Sequence, residues 1–183
     1  INKLKLFVDS LINANQKHNF ISKSTESDVW QRHILDSAQL VKFIDFKTGS
    51  VADFGSGAGF PGIVLAIFNT NKSYKVDLYE KSPVKRIFLQ ELVKKLDINA
   101  NVFSNVYVDK IEASTVVCRA FKKIDKIIQI SREIVKHPHK LIVLKGKNAQ
   151  EELEKAFKWQ KYPYKIEFSM TSKESKIVIV NFI

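Results

Sequence analysis

The sequence predicts an α/β protein with a doubly wound, mostly parallel sheet that is covered by helices on both faces. From Ser50 onward, short β-rich runs alternate with helical stretches, and this alternation is typical of right-handed βαβ units. One of these runs, at 51–54, leads directly into a glycine-rich turn and then a helix. The last two runs are separated only by residues 169–176, which is too short for a helical crossover. These two strands are therefore predicted to form an antiparallel hairpin at one edge of the sheet.

Two helical patterns precede the sheet. One covers residues 3–15, and the other covers residues 28–44 after a polar cluster at 24–27 that is typical of a helix cap. Apolar residues recur at helical spacing in the second pattern, which gives that helix a buried face. We therefore expect an N-terminal helical extension, residues 1–46, packed on a core of residues 47–183, and the two form one structural unit.

The predicted core contains seven strands and four helices. The strands are expected at 51–54, 74–79, 100–103, 115–118, 141–144, 165–168 and 177–180. The helices are expected at 62–68, 84–96, 124–135 and 149–157.

Composition favours one cytoplasmic domain without disulfides. The chain has 183 residues, of which 45% are hydrophobic, and this is enough for one core but small for two. Cys118 is the single cysteine, which excludes a disulfide within the chain and favours a reducing compartment. The sequence has no apolar run of about 18 residues and no secretory signal at its beginning, so we expect a soluble protein that does not enter a membrane.

The charge predicts an anionic partner. There are 30 Lys and Arg residues against 19 Asp and Glu residues, which gives a formal net charge of +11. Such a field favours nucleic acid first and an acidic membrane surface second. Genomic base composition can explain a preference for Lys over Arg. Because that exchange leaves the net charge unchanged, it does not explain the excess of positive charge.

The sharpest local signal is the turn at residues 55–62. Gly55, Gly57 and Gly59 allow positive φ angles and a close approach of the backbone to a ligand, and Pro61 suits a first helical turn. In a doubly wound sheet, the turn after the first strand is where a nucleotide-like cofactor binds. The alternative is a strand–helix turn without a ligand.

Two flanking residues narrow the choice of cofactor. A dinucleotide site needs a small residue three positions after the second glycine, and here that position holds the bulky Phe60. Glu80 ends the second predicted strand, 21 residues after Gly59 (80 minus 59), where a carboxylate can accept hydrogen bonds from ribose hydroxyls. Both nicotinamide and S-adenosylmethionine sites use such an acid, so Glu80 supports the pocket and leaves its ligand open.

The Gly-x-Gly-x-Gly order, with Asp53 two residues upstream, resembles the first motif of class I methyltransferases, in which the acid lies near the methionine amino group. Besides this motif region, 53–62, four segments are informative, at 33–37, 85–89, 119–121 and 144–146. With these five segments, the chain resembles one family over nearly its whole length, the bacterial ribosomal RNA small-subunit methyltransferase G, also called glucose-inhibited division protein B.

The resemblance implies a Rossmann-like class I fold and methyl transfer from S-adenosylmethionine to N7 of one guanine in 16S ribosomal RNA. It places Gly55 and Phe60 against the cofactor, the Val106–Tyr107 backbone near the adenine, and Arg119 at the mouth of the pocket. Tyr107 stands where many members have an acid, so only backbone contact is expected there. Ala14 stands where a Trp is common, which concerns the packing of the first helices.

The expected chemistry needs few catalytic groups. Guanine N7 carries a free lone pair at neutral pH, so methyl transfer needs alignment and exclusion of water, and no general base is predicted. Arg119 is the candidate for positioning substrate, because a planar guanidinium can hold a phosphate or the Hoogsteen edge beside N7. The alternative is a surface arginine at a strand end.

Further residues are candidates for RNA binding. His33 and Asp36 are three apart on one helix face and could contact RNA or pair with each other, or they could lock the helix to the sheet. Lys85 and Arg86 begin a helix, and Lys145 ends the fifth strand, so these three could hold phosphates or simply be solvated.

Other features favour no metal and no nucleophilic cysteine. His137 and His139 have no apparent third ligand, and Cys118 lies in an apolar strand. The expected partner is small-subunit ribosomal RNA or the small ribosomal subunit, and a monomer is assumed. The alternatives are a methyltransferase acting on another RNA base or a protein, a nicotinamide-dependent oxidoreductase, and a non-catalytic RNA-binding protein.

Overall fold

The computed structural model describes residues 1–107, 110–158 and 160–183. Within them, seven strands form one sheet, and all seven were predicted from the sequence to within two residues at each end. The strands are β1 Ser50–Phe54, β2 Lys75–Tyr79, β3 Ala100–Phe103, β4 Thr115–Arg119, β5 His139–Lys145, β6 Tyr164–Phe168 and β7 Lys176–Phe182.

The sheet has the order β3-β2-β1-β4-β5-β7-β6. Strands β1 to β5 are parallel, whereas β7 lies antiparallel between β5 and β6. The predicted hairpin at the edge is therefore confirmed. The strand order reverses between β1 and β4, and in doubly wound sheets this is where a crevice opens at the carboxyl ends of the strands.

The helices cover both faces of the sheet. Their bounds are α1 Asn2–Asn15, α2 Asp36–Ala38, α3 Gly62–Phe68, α4 Pro83–Leu96, α5 Ile124–Ile134 and α6 Ala149–Ala156. The first four contribute to the core on one face, and α5 and α6 cover the other. None of the helices in the described part of the chain combines the length and the hydropathy needed to cross a bilayer.

The predicted helix at 28–44 is not uniform. It begins as a π-helical turn, Trp30–Leu35, continues through α2, and ends as a 3₁₀ turn, Gln39–Phe43. We call these three pieces together the composite helix. The Ser37 hydroxyl donates to the His33 carbonyl at 2.7 Å, and such bonds within a helix compete with its regular winding.

The N-terminal helices pack tightly on the core. Phe7 and Leu11 of α1 are fully buried, as is Leu40 of the composite helix. The Phe7 ring lies 5.0 Å, centroid to centroid, from the ring of Phe60, which follows the glycine turn. Helical residues that precede β1 therefore reach the crevice.

Candidate cofactor and substrate site

The glycine turn joins the ends of β1 and β2. The backbone N–H groups of Gly55 and Ser56 both donate to the Tyr79 carbonyl, at 2.9 and 3.0 Å. Gly55 has a φ of 74°, and a Cβ there would lie 2.6 Å from the Phe121 ring, so the chain has no room for a side chain. Gly57 has a φ of 57°, but a Cβ there would meet only the Gly55 carbonyl oxygen, at 3.8 Å. The space beside Gly57 is therefore open.

Glu80 supports this turn from the end of β2. Its Oε2 accepts the Gly57 N–H at 2.9 Å, and its Oε1 accepts the Ser82 N–H at 2.7 Å. The residue is buried but lines the cavity beside the turn. Since each carboxylate oxygen has two acceptor sites, Glu80 can brace the turn and still accept hydrogen bonds from a ligand.

Asp53 lies beneath the turn, fully buried. Its Oδ2 accepts the N–H of Gly62, the first residue of α3, at 2.9 Å, while Oδ1 has no hydrogen-bond partner among the described residues. Burial raises the pKa of Asp53 to about 7, although the Ser56 hydroxyl and the bond from Gly62 act in the opposite direction. Neither Asp53 nor Gly59 lines the cavity, so both hold the turn from below, and contact of Asp53 with the methionine amino group stays a prediction.

The cavity beside the turn, which we call the first cavity, has a volume of about 590 Å³. This lies within the range of roughly 300–1,000 Å³ that is typical of small-molecule sites. Its walls come from the glycine turn, the ends of β2 and β4, the segment after β3 and the residues before the composite helix. It is lined by residues 20–22, 25, 33, 55–58, 60, 79–81, 85, 105–107 and 119–122.

Arg119 ends β4 and is held by three contacts. Its guanidinium carbon lies 5.0 Å from the centroid of the Phe60 ring, and Nη1 donates to the Arg32 carbonyl at 3.1 Å. The same Nη1 lies 3.7 Å from Asp36 Oδ2. Burial lowers the pKa of Arg119, while Asp36 raises it. Because guanidinium groups stay protonated throughout the physiological range, the contacts fix a permanent planar charge at the crevice.

His33 stacks on the same aromatic ring. Its ring lies 5.0 Å from that of Phe60 with an interplanar angle of 22°, and its Nε2 is 3.1 Å from the Thr25 hydroxyl. Burial, followed by the positive charges of Arg119 and Arg32, lowers the pKa of His33 to about 4. His33 is therefore neutral at physiological pH and too weak a base to take a proton there.

A second cavity of about 420 Å³ lies on the other side of Arg119. Thr25, His33, Arg119 and Ala120 line both cavities, which are therefore neighbours. The other residues that line the second cavity are Arg32, Asp36, Leu144, Lys145, Gly146, Thr171, Ser172 and Ser175. They come from the composite helix, the end of β5 and the turn between β6 and β7.

Comparison with known proteins identifies the family. The family described as "GidB: rRNA small subunit methyltransferase G" matches residues 1–179. The chain belongs to this family. The protein of that name from Rickettsia felis is 39% identical over 183 residues, covering 99% of this chain and 93% of that one. The Pelagibacter ubique protein of the same name is 35% identical, covering 93% of this chain and 83% of that one.

Solved structures agree on the fold. A SAM-dependent methyltransferase from Aquifex aeolicus matches with a TM-score of 0.67 at 15% identity, covering 85% of this chain and 93% of that one. The M. jannaschii protein TYW2, solved in complex with AdoMet, matches with a TM-score of 0.59 at 18% identity, covering 83% of this chain and 75% of that one. The predicted Rossmann-like methyltransferase fold is therefore confirmed.

The GidB-family resemblance also pointed to the Val106–Tyr107 backbone. Both residues line the first cavity, and Val106 is buried whereas Tyr107 is largely exposed. The Tyr107 N–H donates to Asn105 Oδ1 at 2.7 Å and is already used within the chain. A backbone contact to adenine stays a prediction. The Tyr107 side chain is largely exposed, so a tyrosine fits at this position, where many family members have an acid.

The predicted RNA-binding lysines and arginine have different surroundings in this GidB-family chain. Lys85 lines the first cavity, whereas Arg86 lines neither cavity. The Nη1 of Arg86 donates to the carbonyls of Glu80 and Lys81, at 3.1 and 2.7 Å. Lys145 lines the second cavity, but its ammonium is 2.7 Å from a carboxylate oxygen of Glu152. A phosphate-binding role for these three residues stays a prediction, and Lys85 is the most available of them.

The sequence did not indicate what several residues do at the site. Phe121, in the segment 119–121 that carries the resemblance, fills the space beside Gly55, and Ala120 has a φ of 51°, which is uncommon for a residue with a side chain. Thr25, in the polar cluster before the composite helix, contacts His33, and Thr171 contacts Asp36. No sequence spacing could have indicated the contact of Thr171, because it joins residues 135 positions apart.

The features excluded as functional have structural partners. His139 bonds to Ser131 through Nε2 at 2.7 Å and to the His137 carbonyl through Nδ1 at 2.8 Å. Over the residues that the structure describes, no group of three His, Cys, Asp or Glu side chains could hold a metal ion. Cys118 is buried, and burial raises the pKa of its thiol.

Proposed function

We propose that this chain transfers a methyl group from S-adenosylmethionine to N7 of a guanine in 16S ribosomal RNA. Membership of the rRNA small subunit methyltransferase G family supports the reaction class and the RNA. The observation that carries the proposal is the arrangement of two adjoining cavities, one against the glycine turn and Glu80, the other beyond Arg119. One cavity suits a nucleoside cofactor, and its neighbour suits the base that receives the methyl group.

The first cavity fits the cofactor. A Cβ at Gly57 would enter open space, so the glycine leaves room for a ligand, and Glu80 has acceptor sites for two ribose hydroxyls. Phe60, Val106 and Tyr107 provide apolar surface for an adenine ring. When bound, S-adenosylmethionine supplies a methyl group that its positively charged sulfur activates for attack. Asp53 and Gly59 support this site from beneath by holding the start of α3 and the turn.

The chain's own task is to align the base and keep water out. Guanine N7 has a free lone pair at neutral pH, so no side chain has to remove a proton from it. The neutral His33 agrees with this, since a group with a pKa of about 4 does not act as a base at neutral pH. Arg119, fixed against Phe60, provides a planar donor at the boundary of the two cavities. It therefore positions substrate and does not carry a proton.

The partner is small-subunit ribosomal RNA, alone or within the small ribosomal subunit. The net charge of +11 supports binding to this polyanion. A ribosomal substrate places the chain in the cytoplasm, and we propose that it acts there as a monomer.

The function is tested with the purified chain, labelled S-adenosylmethionine, and small subunits or their RNA from cells that lack the corresponding gene. We expect label in N7-methylguanosine after digestion to nucleosides and mass spectrometry. Small subunits from cells that carry the gene serve as the control, because their target is already methylated. Label on a different base atom would overturn the assignment of N7 and leave the methyltransferase activity standing. The absence of label in any nucleoside would overturn both.

A further inference from the structure

The second cavity contains one acid among basic and hydroxyl side chains. Asp36 lines it together with Arg32, Arg119 and Lys145. Its volume of about 420 Å³ is large enough for a small ligand, since such sites span roughly 300–1,000 Å³. A carboxylate repels phosphate, so a site that binds phosphate alone would not contain one. The carboxylate of Asp36 therefore indicates a ligand that is more than a phosphate group.

The two oxygens of Asp36 have different surroundings. Oδ1 accepts hydrogen bonds from Gln39 Nε2 at 2.9 Å, Thr171 Oγ1 at 2.8 Å and Ser169 Oγ at 3.2 Å. These bonds tie the composite helix to the end of the β6–β7 hairpin. Oδ2 lies 3.7 Å from Arg119 Nη1, which is beyond hydrogen-bond distance. Oδ1 is therefore saturated, and Oδ2 keeps the capacity to accept a bond from a ligand.

Resting on the proposed function, we propose that the second cavity receives the target guanine after it has flipped out of the RNA, as enzymes that modify bases require. Arg119 donates to guanine O6, and Asp36 Oδ2 accepts from N1–H. The order of atoms along the base supports this, because O6 lies between N7 and N1. Arg119 lines both cavities while Asp36 lines only the second, so a base whose N7 faces the first cavity has O6 at Arg119 and N1–H at Asp36.

This pair discriminates against adenine. Adenine places an amino group where guanine has O6, and a lone pair where guanine has N1–H. The amino group would face the donors of Arg119, and the lone pair would face the carboxylate of Asp36. Pyrimidines are excluded by chemistry, since they have no N7.

Asp36 also acts on the chemical step. Methylation of N7 leaves a positive charge on the guanine ring, which makes N1–H a stronger donor. A carboxylate that accepts this bond interacts more strongly with the transition state than with the neutral base. Removing the negative charge should therefore lower the rate at saturating RNA as well as the affinity for the base.

The first test uses the unaltered chain and nucleotides as probes. The chain is saturated with S-adenosylhomocysteine and titrated with GMP, IMP, AMP and 1-methyl-GMP, with binding followed by NMR shifts. IMP keeps O6 and N1–H, whereas a methyl group on N1 removes the N1–H donor. We expect GMP and IMP to bind at least about tenfold more tightly than AMP and 1-methyl-GMP, the loss typical of a hydrogen bond to a charged group. Equal affinities for GMP and 1-methyl-GMP would overturn the proposal.

The second test uses Asp36→Asn, which can keep an oxygen towards Gln39, Ser169 and Thr171 and places an amide NH₂ at the other position. We expect it to lose the preference for GMP over AMP and to slow single-turnover methylation at least about tenfold at saturating RNA. Asp9→Asn, an exposed site on α1 with the same change in charge, should behave like the parent.

The outcomes separate this proposal from the proposed function. If the parent chain produces N7-methylguanosine and Asp36→Asn keeps its rate and its base preference, the guanine pocket is wrong while the function stands. If the parent chain produces no N7-methylguanosine but prefers GMP through Asp36, the function is wrong while the pocket stands.

Discussion

Replacing Gly57 with Leu should abolish cofactor binding and leave the fold intact. Gly57 lines the first cavity, and a Cβ there would meet only the Gly55 carbonyl oxygen, at 3.8 Å. A side chain can therefore be accommodated, but a large one occupies space that the ligand needs. Gly55 is not equivalent, because a Cβ there would lie 2.6 Å from the Phe121 ring and disturb packing. Gly57 is thus the position where binding and folding can be separated.

The expected cost to stability follows from the backbone. Gly57 has a φ of 57°, a left-handed conformation that costs a residue with a Cβ about 1–2 kcal/mol. For a chain of this length, a loss of 1 kcal/mol lowers the Tm by roughly 2–4 °C, so the expected fall is about 2–8 °C. Gly57→Ala carries the same backbone cost without the bulk, which makes it the matched control.

Calorimetry with S-adenosylhomocysteine and thermal unfolding measure the two effects. Gly57→Leu should bind at least about a hundredfold more weakly than Gly57→Ala, a difference of roughly 2.7 kcal/mol. The two variants should unfold at similar temperatures. If Gly57→Leu bound the ligand as tightly as Gly57→Ala, the side chain would lie outside the binding site and the first cavity would not hold the cofactor.

Four further predictions concern binding, chemistry and pH. Glu80→Ala should weaken cofactor binding by roughly 1.5–3 kcal/mol, the value of hydrogen bonds to a charged group, and leave the affinity for RNA nearly unchanged. If RNA binding weakened while cofactor binding stayed the same, Glu80 would belong to another surface. Arg119→Lys should slow single-turnover methylation more than it weakens binding, because lysine keeps the charge and loses the planar fork; a rate like the parent's would mean that Arg119 does not position the substrate. Lys85→Gln should reduce the slope of log affinity for RNA against log salt concentration by about 1. Arg86→Gln should change this slope less, because the Arg86 guanidinium bonds to backbone carbonyls. An unchanged slope for Lys85→Gln would show that this lysine does not contact the RNA. Burial raises the pKa of Asp53 from 3.8 to about 7, so its contribution to stability is fully present below pH 3.8 and is lost as the pH rises to about 7. The Tm should therefore fall between about pH 4 and about pH 7 and level off above, and a fall of the same size in Asp53→Asn would contradict the assignment.

The fold could be predicted because its local signals agree. Apolar runs, the glycine turn at the end of β1 and the short connection before β7 each matched one element of the structure. The composite helix was the least well predicted element. Its apolar spacing indicated a helix but not its change of winding. The composite helix also makes contacts that the pattern does not encode, since the Ser37 hydroxyl bonds to the His33 carbonyl and Arg119 bonds to the Arg32 carbonyl from 87 residues away.

The site could be predicted only in part. Gly55, Gly57 and Glu80 have a sequence signature because the turn and the following strand end are close in the chain. Asp53 was also predicted to lie at the cofactor, but it is buried beneath the turn. The sequence pattern of a strand could not show this, because it does not distinguish a residue on a cavity wall from one below the wall. The Asp36 network joins residues 130 to 135 positions apart, and no local pattern could have indicated it.

The two cavities share Thr25, His33, Arg119 and Ala120 and otherwise depend on different parts of the chain. The first includes the glycine turn after β1 and the end of β2, which carry the motif, together with residues after β3 and before the composite helix. The second needs the composite helix, the end of β5 and the turn after β6, and Arg119 connects these groups through Arg32 and Asp36. The glycine turn can thus be recognised from one short segment, whereas the second cavity, the proposed site of the target base, depends on packing between the beginning and the end of the chain. Residues 1–46 therefore contribute to both cavities, because the Arg32 carbonyl and Asp36 contact the Arg119 guanidinium and His33 stacks on the Phe60 ring.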